Sequence, residues 1–291
     1  MRQTEAAALG RTLITPTPDA PAFDRGAAAR DLTLSSHREA VERVIAAARE
    51  RLSESLSLRD MSRIAYISPF HFNRVFHQIT GLPPGKFVGA LRLETAKRLL
   101  LTTTRSVTDI CYEVGYNSLG TFTTRFTQLV GVGPRELRRL AERFNPASVG
   151  ALCGRYDELT AAAPGPASVT GFVASAVRHE GPVFVGLFPA NVPQKLPAGG
   201  TLLRGPGAFR VGRVPDGTYY LLAAALPESG DTLSYLLPGT AGLLVGVGDA
   251  PVVVRRDAPA PHVPLSLRPA QLTDPPLLIS LPFLLTNAPA A

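Results

Sequence analysis

The sequence predicts a multi-domain chain: an all-α half with two helix-turn-helix units joined by a linker helix, then an all-β half forming an antiparallel β-sandwich. Three observations support this prediction. Residues 36–144 show helical periodicity, residues 169–291 hold short β-forming segments separated by Gly and Pro, and the helical half contains an internal repeat. The Pro-, Gly- and Ala-rich residues 145–168 are typical of a linker.

Residues 1–34 mix Ala, Pro and Thr without a period and predict a flexible N-terminal arm. From residue 35 the pattern becomes helical, with Ser35 or Ser36 as the predicted N-cap. The apolar spacing i, i+3, i+4, i+7 is met by Val41, Val44, Ile45 and Ala48.

Two later stretches repeat one another, "LRDMSRIAYISPFHFNRVFHQITGLPP" from Leu58 and "VTDICYEVGYNSLGTFTTRFTQLVGVGP" from Val107. Each reads as a helix, a short turn, a second helix and a Gly stop, which predicts a duplicated helix-turn-helix. The matching pairs are Asp60 with Asp109, Ser68 with Ser118, Phe72 with Phe122, Phe76 with Phe126, Gly81 with Gly131, and Pro84 with Pro134.

The second helix of the first copy has one apolar and one polar face. Ser68 is its predicted N-cap, Pro69 its first residue and Gly81 its stop. The predicted buried stripe is Phe72, Val75, Phe76 and Ile79. The outward residues are Phe70, His71, Asn73, Arg74, His77 and Gln78. This outward set includes side chains that can reach base edges and phosphates in a major groove.

Between the copies, "PPGKFVGALRLETAKRLLLTT" predicts a long rigid helix with a Glu94–Arg98 pair at i, i+4. Its predicted common face is Val88, Leu91, Thr95 and Leu99. Such a helix would fix the spacing of two recognition helices, so that they enter successive major grooves about one helical turn apart.

The positive charge is concentrated in this helical half. The formal net charge is +7; residues 31–144 hold 17 Lys and Arg against 11 Asp and Glu, and residues 151–291 hold nine of each. The asymmetry favours a polyanionic partner for the helical half, although a solvated helix surface would show the same excess.

Residues 36–144 resemble the AraC/XylS family of bacterial transcription regulators, through "ISPFHFNRVFHQITGLPPGKFVGALRLETAKRLLLTTTRSVTDICYEVGYNSLGTFTTRFTQLVGVGPREL". The resemblance implies sequence-specific binding of double-stranded DNA. In the first unit it implies base contacts from Phe70, Asn73 and Arg74, with His71 alongside; the outward-facing His77 is a further candidate contact. In the second unit it implies contacts from Leu119, Gly120, Thr121, Thr123, Thr124 and Arg125.

The chain departs from the family pattern in two respects. Many members have long polar residues early in the second recognition helix, where this chain has Leu, Gly and Thr. Threonine and leucine offer mainly methyl contacts and phosphate bonds. The second unit is therefore expected to position the protein on DNA more than to specify the base sequence. The candidate effector domain also follows the helical half, whereas in many members it precedes it.

The β-rich half resembles transthyretin-like and carboxypeptidase-regulatory-like sandwiches through "GAFRVGRVPDGTYYLLAAAL", with a tight turn at Pro215–Gly217. This resemblance implies a fold and no activity. The aromatic residues are interpreted as core and edge residues in preference to a ligand-binding site: Phe184, Phe188, Tyr219 and Tyr220. The tail from Gln271 fits a strand or a docking segment.

The sequence offers little support for chemistry or for a membrane. No apolar run reaches the roughly 18 residues that span a bilayer, and "MRQTEAAALG" lacks a signal-peptide core, so we expect a cytoplasmic protein. Cys111 and Cys153 are interpreted as small buried side chains, and the five histidines show no metal spacing. No catalytic set or cofactor motif stands out, so we expect no enzyme activity, metal or cofactor.

The expected function is therefore transcription regulation by sequence-specific DNA binding, with residues 169–291 serving ligand response or assembly. RNA polymerase, a small-molecule effector and a second copy of the chain are partners that the sequence leaves open. The alternative is a ligand-binding or carrier β-domain protein whose helical half is an ancillary tether.

Overall fold

The computed structural model describes residues 25–143, 167–195, 197–229, 231–239 and 242–279. The predicted linker, except its last two residues, and Cys153 lie outside these ranges. The chain divides into a short unit, Met1–Ser36, and a large one, His37–Ala291. The helices of the first half are α1 (Arg25–Glu50), α2 (Leu58–Ala65), α3 (Pro69–Thr80), α4 (Pro84–Thr102), α5 (Val107–Glu113), α6 (Leu119–Val130) and α7 (Pro134–Arg143).

Helix α1 begins earlier than the sequence predicts. It starts at Arg25, inside the segment predicted to be a flexible arm, so neither Ser35 nor Ser36 is its N-cap. The stretch "RGAAARDL" is rich in alanine, the strongest helix former, which favours this longer helix. The predicted apolar stripe is confirmed, because its four members are at most 3% exposed: Val41, Val44, Ile45 and Ala48.

The duplication is visible in the caps of the short helices. Ser57 accepts a hydrogen bond from the backbone N–H of Asp60 at 3.2 Å, and Ser106 accepts one from Asp109 at 3.1 Å. Ser118 caps α6 by accepting from Thr121 N–H at 3.4 Å. Ser68 is the N-cap of α3, as predicted, but its side chain makes no capping hydrogen bond.

The hydrophobic interiors of the two helix-turn-helix units are also alike. Phe72 and Phe122, at equivalent positions, are both fully buried. Helices α3 and α6 both end at a glycine with a left-handed backbone, Gly81 (φ 73°) and Gly131 (φ 96°), as predicted. The same local pattern therefore builds two separate hydrophobic cores.

Helix α4 belongs to both cores. Val88 and Leu91 pack in the core of the first unit, together with α1, α2 and α3. Ala90, Leu93 and Leu100 pack in the core of the second unit. The predicted Glu94–Arg98 pair is replaced by a bond across helices, because Arg49 Nη1 of α1 donates to Glu94 Oε2 at 2.9 Å.

Arg92 of α4 ties the two units together. Its Nη2 donates to the carbonyl of Glu54, before α2, at 2.8 Å, and its Nη1 donates to the carbonyl of Gly115, after α5, at 2.9 Å. Gly115 has φ of 84°, and a Cβ there would lie 2.7 Å from the carbonyl oxygen of Leu52. Only glycine allows this approach, so the two units meet at a fixed distance.

The strands of the second half are β1 (Val169–Ser175), β2 (Val183–Phe188), β3 (Gly199–Leu203), β4 (Ala208–Val211), β5 (Gly217–Ala225), β6 (Leu244–Val247), β7 (Val252–Val254) and β8 (His262–Pro269). Helix α8 (Thr232–Leu236) interrupts the predicted all-β half. Six short β-forming segments of the sequence each contain one strand, whereas β3 and β6 lie outside them; the segments are residues 168–177, 181–190, 207–214, 217–226, 250–256 and 262–269.

The sheet is mixed and nearly closed, so the predicted antiparallel sandwich is not confirmed. Its strand order is β3-β2-β5-β6-β8-β1-β4, with β7 paired to β5. Strands β1 and β8 are parallel, with Thr170 opposite His262, and the end strands β3 and β4 lie close together. Parallel neighbours need a long connection, and a pairing across about ninety residues leaves no local sequence pattern.

Strands β2 and β5 are buried on both faces. Val185, Leu187 and Leu221 point into the interior of the sheet. Phe184 and Leu222 belong to a second cluster on the opposite face. Strands covered on both faces read as continuous apolar runs, as "VFVGLF" and "LLAAA" do here.

The second half packs into both helical cores. Val192, after β2, and Leu272 pack against the core of the first unit. Leu236 of α8 and Leu278 are buried in the core of the second unit. Residues 271–279 form no strand and dock across the helices, in agreement with one of the two roles predicted for the tail.

Lys97 of α4 lies at this junction. It is 1% exposed, and its Nζ donates to the carbonyl oxygens of Leu278 at 3.2 Å and Ile279 at 3.4 Å. Removal from water disfavours the charged ammonium, which lowers the pKa of Lys97 to about 7 even though Glu94 opposes the shift. The junction therefore carries an ionisable group that is most stable there when neutral.

We predict that stability rises with pH because of this lysine. Between about pH 7, its folded pKa, and its unfolded pKa of 10.5, the unfolded chain binds the additional proton. The free energy of unfolding should therefore gain up to about 1.4 kcal/mol per pH unit in this window. Chemical denaturation from pH 6 to pH 9 should show this slope, and Lys97→Met should remove it. Lys86→Met, at an exposed lysine, is the matched control; equal slopes in all three proteins would contradict the assignment.

Candidate nucleic-acid interface

The outward face of α3 is open to solvent. Phe70, in the first turn, is 86% exposed, and Asn73 and Arg74 are exposed one turn later. The opposite face is anchored by the buried rings of Phe72 and Phe76, whose centroids are 5.4 Å apart. Packing of the apolar face thus fixes which residues of α3 face outward.

The two histidines of this helix differ. His71 is half-buried, its ring lies 5.2 Å from the ring of His37, and its Nε2 is buried without a hydrogen-bond partner among the described residues. His77 is exposed in the last turn of α3. Of the pair, His77 is the more accessible to a partner.

Helix α6 presents a smaller and more neutral face. Leu119 is 37% exposed, and Thr123 is half-buried. The other exposed members of the predicted set are Gly120, Thr121, Thr124 and Arg125. Apart from Arg125, this surface offers hydroxyl and methyl groups only.

Several cations beside the helices are already paired within the protein. Arg63 lies 3.5 Å from Asp60, and Arg105 pairs with Glu113. Lys86 and Arg125 are exposed, and neither forms an ion pair within the described ranges. These two side chains and Arg74 are thus exposed cations of α3, α4 and α6 that are available to an anionic partner.

Tyr66, in the turn between α2 and α3, was not among the predicted site residues. It is 87% exposed and has a left-handed backbone with φ of 58°. The guanidinium of Arg43 lies 5.9 Å from the centre of its ring. The equivalent position in the second unit is Gly115. A tyrosine is unusual at such a left-handed position, where glycine is the common residue.

Other kinds of site receive no support from the described residues. Across those ranges no three His, Cys, Asp or Glu side chains form a group that could hold a metal ion. None of the helices described combines the length and apolarity that crossing a bilayer requires. Cys111 is buried, as predicted, and burial raises the pKa of its thiol, which disfavours the reactive thiolate.

Comparison with known proteins places the similarity in the helical half. A family model described as a helix-turn-helix domain matches residues 61–140. YobQ of Bacillus subtilis (strain 168), an uncharacterized HTH-type transcriptional regulator, is 32% identical over 94 residues, which cover 32% of this chain and 39% of YobQ. AarP of Providencia stuartii, an HTH-type transcriptional activator, is 33% identical over 91 residues, which cover 31% of this chain and 67% of AarP.

A solved structure from Chromobacterium violaceum, described as a transcriptional regulator of the AraC-type DNA-binding domain-containing proteins, is 26% identical. It matches with a TM-score of 0.35 over 36% of this chain and 94% of that one. The chain thus spans less than half of YobQ and about two thirds of AarP. The family match at residues 61–140 and the identity to AarP show that the chain belongs to the AraC family of helix-turn-helix regulators.

Proposed function

We propose that this protein regulates transcription by binding double-stranded DNA with α3 and α6 in successive major grooves. The observation that carries the proposal is the duplication: two helices with equivalent buried faces stand on the shared helix α4 and expose their outward faces. The major groove of B-DNA admits an α-helix, and its base edges can be distinguished there. YobQ is described as an HTH-type transcriptional regulator and AarP as an HTH-type transcriptional activator, which agrees with this role.

In this proposal the two recognition helices make different kinds of contact with DNA. In α3, Arg74 can donate two hydrogen bonds to a guanine edge, and Asn73 can pair with adenine. In α6, Thr121 and Thr124 contact phosphates or the thymine methyl group, and Arg125 contributes charge. The first unit therefore supplies most of the sequence specificity and the second most of the positioning.

The alternative of a carrier with a helical tether has weaker support. A tether needs no packing against its cargo domain, yet Val192, Leu236 and Leu278 of the second half lie in the two helical cores. The β-rich half is thereby joined to the elements that carry α3 and α6. This arrangement fits a domain that modulates DNA binding.

We predict that Arg74→Ala weakens binding to a preferred duplex by about 1–3 kcal/mol and relaxes the base preference at one position. The duplex is taken from a random-sequence pool enriched by the full-length protein, and fluorescence anisotropy gives its affinity and those of single-base variants. Arg98→Ala, on the side of α4 facing Leu236 and Leu237, is the matched control and should have little effect. Weaker binding with an unchanged preference profile would show that Arg74 contacts phosphate.

We also predict a steep dependence of DNA affinity on salt. About five phosphate contacts would give a slope of log K against log[salt] near −4.5, or roughly 500-fold weaker binding at 200 mM than at 50 mM salt. Lys86→Gln should make the slope shallower by about 1. Arg204→Gln, at an exposed arginine after β3, is the control that should leave the slope unchanged. Affinity that barely changes over this range would contradict the proposed function.

A further inference from the structure

A cleft of about 100 Å³ lies between the sheet and the helices α1 and α4. One wall is the apolar face of β2 and β5 that points away from the sheet interior: Phe184, Phe188, Leu222 and Ala224. Arg49 of α1 and Glu94 of α4 form the facing wall, and residues 270–277 close a third side. The aromatic pair interpreted from the sequence as core residues is indeed buried and also lines this cleft.

The size and lining of the cleft define an apolar occupant. Apolar side chains dominate its surface, and clefts of this composition with a few polar groups are typical of small-molecule sites. Its volume of about 100 Å³ is smaller than that of the ~150 Å³ apolar cavity that holds one benzene molecule, so one ring is the upper limit for an occupant. The fitting ligand therefore has one ring or a similar compact apolar body.

The polar atoms of the cleft define the charge of that occupant. Arg49 Nη1 is bonded to Glu94, but Arg49 Nε is buried and has no acceptor among the described residues. Burying a donor without an acceptor is costly, so a ligand acceptor at this atom would be stabilising. Glu94 and Asp274 also line the cleft, and Asp274 is bonded to Arg268 at 2.7 Å. A ligand carboxylate would face both carboxylates, which favours an uncharged ligand.

The walls of the cleft connect it to both helix-turn-helix units. The Arg49–Glu94 bond joins α1, in the first core, to α4, which belongs to both. Along the third wall, Leu272 packs on the first core and Leu277 on the sheet face, and the adjacent Leu278 is buried in the second core. A ligand in the cleft would therefore contact the groups that set how the two units are held.

We propose that this cleft binds an uncharged, single-ring apolar molecule with one hydrogen-bond acceptor, and that binding changes the affinity of the protein for DNA. The second part rests on the proposed function, whereas the first does not. Phe184, Phe188 and Leu222 enclose the ring, and Arg49 Nε–H donates to the acceptor. Occupancy alters the contact between α1 and α4 and so the relative position of α3 and α6.

The first test measures ligand binding without DNA, by ligand-observed NMR and calorimetry on the full-length protein. The probes are benzamide, which has a ring and a neutral acceptor, benzoate, which has the same ring and a charge, and toluene, which has no acceptor. Benzamide should bind saturably, and benzoate and toluene should each bind at least about tenfold more weakly. Absence of saturable benzamide binding, or equal binding of benzoate, would overturn the proposal.

Two variants locate the bound probe. Ala224→Leu fills the cleft and should abolish benzamide binding, whereas Ala174→Leu, the same change at an exposed position of β1, should leave it intact. Arg49→Lys keeps a cation beside Glu94 but removes the Nε donor, so it should weaken benzamide about tenfold and leave toluene unchanged. The two cleft variants test the site independently, so the test still holds if one of them fails to fold. Benzamide binding unaffected by both cleft variants would place the probe elsewhere and overturn the site.

The second test measures DNA affinity with and without saturating benzamide. Coupled sites typically change one another's affinity by about fivefold or more, and the change should be lost in Ala224→Leu and kept in Ala174→Leu. Saturable benzamide binding with unchanged DNA affinity would overturn the effector role. A protein that binds benzamide but no DNA would instead count against the proposed function and leave the ligand site standing.

Discussion

The burial of α4 in two hydrophobic cores is the constraint on which the rest of the structure depends. Helices of the first unit pack on one side of it and helices of the second unit on another, so neither core is complete without it. Arg92 adds directional hydrogen bonds to a carbonyl on each side, at Glu54 and Gly115. Helices α3 and α6 held in this way have a set separation, and in the proposed function this separation suits a duplex whose grooves also repeat at a set distance.

The same helix connects the β-rich half to α3 and α6. Lys97 holds the backbone of residues 278–279, and Glu94 forms one wall of the cleft. A change in the cleft or at the lysine therefore acts on the element that sets the separation of α3 and α6. In the proposed function, this geometry gives the second half a physical route to DNA affinity without touching DNA.

Local patterns predicted most of the helical half. The i, i+3, i+4, i+7 spacing identified buried residues such as Phe72 and Phe76, and the glycine stops at Gly81 and Gly131 were correct, because these features depend on residues close in sequence. The same spacing predicted the outward face of α3, and the family resemblance, supported over residues 61–140, supplied the candidate contacts on α6; of the predicted contacts, His71 and Thr123 are only half-exposed. Their roles in DNA contact remain predictions.

The unpredicted features come from contacts between distant residues. Glu94 bonds to Arg49 across two helices instead of Arg98 in its own helix, because α1 places a second cation within reach. The buried Lys97 reads as a surface residue until the tail of the chain is seen to cover it. The parallel pairing of β1 with β8 and the cleft beneath β5 depend on the whole chain, so no short sequence window contains them.

The most direct test of the central claim varies the distance between the two DNA sites. A duplex enriched by the full-length protein should contain two preferred blocks about one helical turn, 10–10.5 base pairs, apart. Inserting two base pairs between them rotates one block by about 70° and moves it by about 7 Å, so affinity should fall at least tenfold. Arg92→Ala, which loosens the two units, should reduce that penalty. A single preferred block, or affinity that is unchanged by the insertion, would contradict the account.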